Sequence, residues 1–146
     1  MIPRTEVYAD TLATARQIVN STGVKIRVAN YGLDSCNDQG DPPYQGTVVA
    51  TFDRPMDQAR ALAVAERYQQ QLIKSGWSPE GAGVSHSTVS LTKSGYLLQL
   101  DAVWLPAEGI DPIGAFNLFG PCEQIDGITS LMEANAVGGD IAALLQ

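Results

Sequence analysis

The sequence predicts an α+β fold: a two-layer sandwich with an antiparallel sheet of four to five strands, two main helices on one face and one disulfide. Three observations lead there. Two stretches repeat apolar residues at helical spacing, and several shorter ones alternate apolar with polar. Neighbouring β stretches are joined by links too short for a parallel crossover. The chain is 146 residues, 45% hydrophobic and 17% charged, enough to bury the core of one domain and unlike a disordered tail.

From Glu6 to Asn20, Tyr8, Leu12, Ala15, Ile18 and Val19 mark one face of a first helix, and Asn20-Ser21-Thr22-Gly23 stops it, Gly23 being free to turn left-handed. Val24 to Asn30 alternates, with Val24, Ile26 and Val28 on one side of a half-buried strand. An acidic turn with Cys36, Gly40 and Pro42-Pro43 leads to a second strand, Gln45 to Asp53, whose Val48, Ala50 and Phe52 oppose Thr47, Val49 and Thr51. Asp53-Arg54-Pro55 opens a second helix, since Asp caps and Pro suits a first turn. Its stripe of Ala61, Ala65, Tyr68 and Leu72 runs to Lys74, where Ser75-Gly76-Trp77 reads as a glycine cap with an apolar residue folding back, and Pro79 forbids continuation.

After the connector Glu80-Gly81-Ala82-Gly83, Val84 to Thr92 and Tyr96 to Trp104 form a hairpin around Lys93-Ser94-Gly95, with Leu98, Leu100, Ala102 and Trp104 on one face. Ile113 to Phe119 supplies a fifth strand ending near Cys122. Helical character returns between Ile128 and Ala136, weakened by Gly138-Gly139, and Ala142 to Gln146 is expected to fray or dock weakly. Nothing divides the chain, so residues 1–146 are expected to be a single domain.

The net charge of −7 opposes a nucleic-acid partner and docking on an anionic lipid surface. No apolar run approaches the ~18 residues of a membrane span. Cys36 and Cys122 are the only cysteines, and both sit in turn-like contexts, DSCNDQGDPP and FGPCEQ. Pairing them would close a long loop and indicate an oxidising compartment; the alternative is two reduced thiols in a cytosolic protein. Met1-Ile2-Pro3-Arg4 lacks the features of a signal peptide. Either the chain is cytosolic or Met1 stands where a leader has been removed, and the cysteines favour the second.

Candidate chemistry is sparse. Asp34, Asn37, Asp38 and Asp41 crowd one turn, but no DxDxDG run or closing Glu makes an EF-hand, and a solvated turn accounts for them. His86, the single histidine, falls on a mixed strand face with no acid or cysteine near it in sequence. Ser85, Ser87, Thr88, Ser90 and Thr92 make a hydroxyl-rich strand without a GxSxG elbow. Neither a Walker nor a dinucleotide glycine motif follows a strand, so no cofactor is expected, and two thiols with one distant histidine fall short of a zinc site. The binding candidates are aromatic: Tyr44 in the cysteine turn, and Trp104, Phe116 and Phe119 near element ends, where they serve the core or rim a contact patch.

Three features occur together: a helix and strand ahead of SCNDQGDPPYQG, an Asp-Arg-Pro start, and a long helix ending in Gly-Trp. Over roughly Asp10 to Trp104 this resembles the ectodomains of small LppA-type lipoproteins of mycobacteria and related actinobacteria. The resemblance implies a lipid-anchored domain on the outer side of the cytoplasmic membrane, touching the membrane only through an N-terminal anchor, whose cysteine and leader the sequence does not show. Three functions follow as expectations. The first is a non-enzymatic envelope domain binding a protein or small ligand. The second is a phage- or prophage-encoded exclusion lipoprotein that blocks a competing phage. The third is a cell-wall or lipid enzyme using Asp34, Asp38 or His86.

Overall fold

The computed structural model describes residues 1–53, 57–80, 88–101 and 113–146. The first helix, α1 (Arg4–Thr22), buries Val7, Thr11, Leu12, Ala15, Ile18, Val19 and Thr22. It closes on Gly23, whose φ of 72° lets its N–H donate to the Val19 carbonyl at 2.8 Å. Strands β1 (Ile26–Ser35) and β2 (Tyr44–Asp53) pair antiparallel.

Strand β1 corrects the simple alternation. An extra residue between Ile26 and Val28 shifts the register, so Ile26 is buried, Val28 is exposed, and Ala29, Tyr31 and Leu33 turn inward. A bulge of this kind exchanges the two faces of everything beyond it, and the exchange is invisible to a period-2 pattern.

Helix α2 (Gln58–Lys74) begins four residues later than the Asp-Arg-Pro sequence suggests. Asp53 is still in the sheet, opposite Ile113, and the cap is Asp57, which accepts from the Ala59 N–H at 2.8 Å. The other end of α2 forms as the sequence predicts. Gly76, at φ 101°, donates to the Ile73 carbonyl, Trp77 donates to the Leu72 carbonyl at 3.0 Å, and the indole is buried. Trp77 is thereby held in the core ahead of β3 (Ser78–Pro79).

Strands β4 (Thr88–Lys93) and β5 (Tyr96–Asp101) make the expected hairpin through Ser94 and Gly95, and β6 (Ile113–Phe119) returns between β5 and β2. Then come a short α3 (Leu131–Asn135), β7 (Gly138–Asp140) and a 3-10 turn, Ala142–Leu144. The sheet has seven strands in the order β3-β4-β5-β6-β2-β1-β7, all antiparallel, where four to five were expected. The additions are the two short edge strands, each too brief to show a periodicity. The C-terminal residues do not fray: Leu145 is buried, Arg16 donates to the Leu144 carbonyl at 2.9 Å, and Gln146 donates to the Ile26 carbonyl at 3.1 Å.

Helices α1 and α2 pack against each other, with α1 on β2 and α2 on β3 and β4. The approach of α1 depends on Gly46: a Cβ there would collide with the Thr11 hydroxyl and stand 3.1 Å from Val7. Between helices and sheet lie Ile18, Phe52, Leu72, Leu98, Leu100, Phe116 and Leu118, all fully buried. No helix among the described residues is long and apolar enough to cross a membrane.

Candidate functional site

One end of the sheet is tied together covalently. Cys36 and Cys122 form a disulfide with Cα atoms 6.2 Å apart and 86 residues between them in sequence. Closing so long a loop removes roughly 4–5 kcal/mol of chain entropy from the unfolded state. Beyond Cys122 the chain runs as a strap: Glu123 exchanges two backbone hydrogen bonds with Tyr44, at 2.8 and 3.0 Å, and Ile125 bridges Ile2.

The cysteine turn is held by its own polar groups. The Asn37 side-chain oxygen accepts from the N–H groups of Gln39 and Asp41, and the Ser35 hydroxyl donates to the Asp41 carbonyl at 2.7 Å. Tyr44 is fully buried and donates to the Gly40 carbonyl at 2.6 Å. Burial first, then the Asp41 and Glu133 charges, push its phenol above the ordinary range. It is a pillar under the turn and offers no contact surface. Among the described residues no group of three or more His, Cys, Asp and Glu could hold a metal ion.

The aromatic candidates do not converge. Phe116 is buried beneath the helices while Phe119, three residues on, is half-buried on the opposite face of β6. Trp104, His86, Ser85 and Ser87 lie outside the described residues. Asp34 is exposed on the outer face of β1, and Asp38 is exposed in the turn.

The structure offers instead a cleft at the other edge, which sequence reasoning missed. It has a volume of about 390 Å³ and is lined by Arg4, Thr5 and Tyr8 of α1, by Tyr31, and by residues 137–141. That volume is in the range of small-ligand pockets. Tyr8 and Tyr31 meet edge to face, ring centroids 5.0 Å apart. Tyr31 is 5% exposed, and its hydroxyl has no hydrogen-bond partner among the described residues. Desolvation, with smaller contributions from Tyr96 and Tyr8, raises its pKa to about 12. Arg4 is exposed at the mouth and helps hold the Glu133 carboxyl below its ordinary value, after the larger effect of the Thr129 hydroxyl, which donates to that carboxylate at 2.7 Å. The residues that build this cleft are spread over the first and last tenths of the chain and a bulged strand, so no local pattern announces it.

A lipoprotein family model, "Putative lipoprotein LppJ", matches residues 5–133. The chain belongs to the LppJ family. Relatives in Mycobacterium tuberculosis (strains CDC 1551 / Oshkosh and ATCC 25618 / H37Rv) and Mycobacterium bovis (strain ATCC BAA-935 / AF2122/97) are 35% identical to it over 72 residues. The match covers 49% of this chain and 37% of theirs, so it spans well under half the length of the curated relatives. No solved structure matches. The match bears out the expected lipoprotein family, with mycobacterial relatives, under the description LppJ where the LppA type was expected, and with it a cell-envelope, membrane-anchored location.

Proposed function

We propose that the chain is the non-enzymatic, lipid-tethered domain of an envelope lipoprotein, exposed on the outer side of the cytoplasmic membrane and built to bind a protein partner. The observation that carries this reading is the preformed cleft over Tyr31, open to solvent and floored by aromatic rings. Membership of a lipoprotein family supports the tether, and the disulfide agrees with an oxidising compartment. In the acidic turn the Asn37 amide oxygen and the Ser35 hydroxyl are occupied in holding the turn's own backbone.

The test is photocrosslinking in intact cells producing the lipidated protein, with the photoreactive residue at the exposed cleft position Thr5 and a control at Thr88 on the far sheet edge. A partner captured from Thr5 and not from Thr88 is the expected result. The reading fails if both positions capture the same background. Protease accessibility in osmotically opened cells checks the side of the membrane: the domain is expected to be digested without detergent.

A further inference from the structure

Strand β7 is the last in the sheet and pairs on one side only, through Asn30, Tyr31 and Gly32 of β1. Ile141 donates inward to the Ala29 carbonyl at 2.9 Å. Antiparallel pairing alternates inward-bonding with outward-facing residues, so the N–H and C=O groups of Gly138 and Asp140 face away from β1.

Its two glycines are glycine for different reasons. At Gly138, φ is 140° and a Cβ would stand 2.6 Å from the Tyr31 carbonyl oxygen. No other residue fits there. Gly139 has no positive φ, and a Cβ built on it meets nothing within 4 Å. Neither backbone nor packing requires it, although a strand glycine costs stability relative to a residue with a side chain. Gly139 pairs with Tyr31, so a side chain at 139 would project on the face of the Tyr31 ring. Val137 and Ile141, two residues to either side, both line the cleft. The cleft is the space that a side chain at 139 would fill.

We propose that this gap and the β7 edge receive an extended peptide segment of the partner protein. Its main chain pairs with Gly138 and Asp140, an apolar side chain fills the space at Gly139, and a carboxylate meets Arg4. A free strand edge beside a side-chain pocket is the arrangement by which an added strand gains both affinity and selectivity. Arg4 stands at the mouth without an ion pair among the described residues, where the one salt bridge joins Arg27 to Asp53. Arg4 is the one cation lining the cleft; the one carboxylate lining it, Asp140, accepts from the Ala142 N–H at 2.9 Å, and nearby Glu133 accepts from the Thr129 and Ser130 hydroxyls. The carboxylate on the peptide is therefore the partner proposed for Arg4. The inference rests on the binding role proposed above and names its ligand chemistry.

The experiment titrates isotope-labelled protein with a synthetic pool of octapeptides alternating aliphatic and polar residues, made with free or amidated C termini and with Glu or Gln within. The expected result is amide shifts confined to residues 138–140 with movement of the Tyr8 and Tyr31 ring signals. Gly139→Leu is expected to weaken binding at least tenfold with the melting temperature unchanged or raised. Arg4→Glu, at an exposed position, is expected to weaken it several-fold for carboxylate-bearing peptides and not for neutral ones. The inference is overturned by shifts that map to the cysteine turn, by Gly139→Leu binding as tightly as the parent, or by no shift with any member of the pool. The crosslinking result above stands or falls independently of these outcomes.

Discussion

The C-terminal end of β1 and its middle are built on opposite plans. At its C-terminal end the chain is over-determined: a disulfide, two hydrogen bonds between Tyr44 and Glu123, a buried tyrosine under the turn, and a glycine at 46 that lets α1 settle directly onto β2. Along its middle, where β7 pairs with it, a position that could carry a side chain carries none. Stability is concentrated at the cross-linked end, and space is left beside β7, where the proposed peptide would enter. A fold that marginal overall tolerates such a gap only because it is secured elsewhere.

Removing the covalent tie should have the largest effect. Cys36→Ala with Cys122→Ala is expected to lower stability by about 4 kcal/mol in urea unfolding under otherwise oxidising conditions. A loss below about 1 kcal/mol would mean that the hydrogen-bonded strap suffices and that the contrast between the two regions is smaller than drawn. Gly46→Ala tests the helix seat. The added methyl collides with Thr11 and should cost about 2 kcal/mol, and Thr11→Ala in the same chain should recover part of it.

The smallest effect is expected at the open end. Tyr31→Phe deletes a buried, unpartnered hydroxyl and should raise stability by about 1 kcal/mol. It should also change the alkaline limb. The Tyr31 phenol holds its proton more tightly folded, at about 12, than unfolded, at 10.0. Its contribution is therefore fully present below pH 10 and lost as the pH rises through 12. Stability measured from pH 9 to 12 should fall less steeply for the phenylalanine variant, and ultraviolet titration should count one more late-ionising tyrosine in the parent than in the variant, where Tyr44 still titrates late.

How much could be read beforehand followed from how local each signal was. The Ser75-Gly76-Trp77 stop was legible because cap, left-handed turn and apolar return are all within six residues of Leu72. The β4–β5 hairpin was legible from its two-residue turn. The cysteine pairing was legible from the turn contexts of the two residues. The true start of α2 was not, because Asp53 and Asp57 are equally good caps and only the pairing of Asp53 with Ile113 decides between them. The inward face of Tyr31 was hidden by the bulge near Arg27. Tyr44 and Phe116 were aromatic residues near element ends, and the core claimed both. The cleft was beyond reach: Gly138-Gly139 reads as a helix breaker, and nothing in a dipeptide says that the second glycine stands opposite a tyrosine on a strand more than a hundred residues earlier.

The bridge between Ile2 and the strap has a mechanical meaning. A pull on the first residues is delivered to two backbone hydrogen bonds, Ile2 to Gln124 and Asp126 to Ile2, before it reaches the first turn of α1. From there it passes within a few residues to Cys122 and across sulfur to Cys36 at the end of β1. In a domain carried on a tether at that end, tension would be borne by a cross-linked clasp while the groove beside β7 keeps its shape.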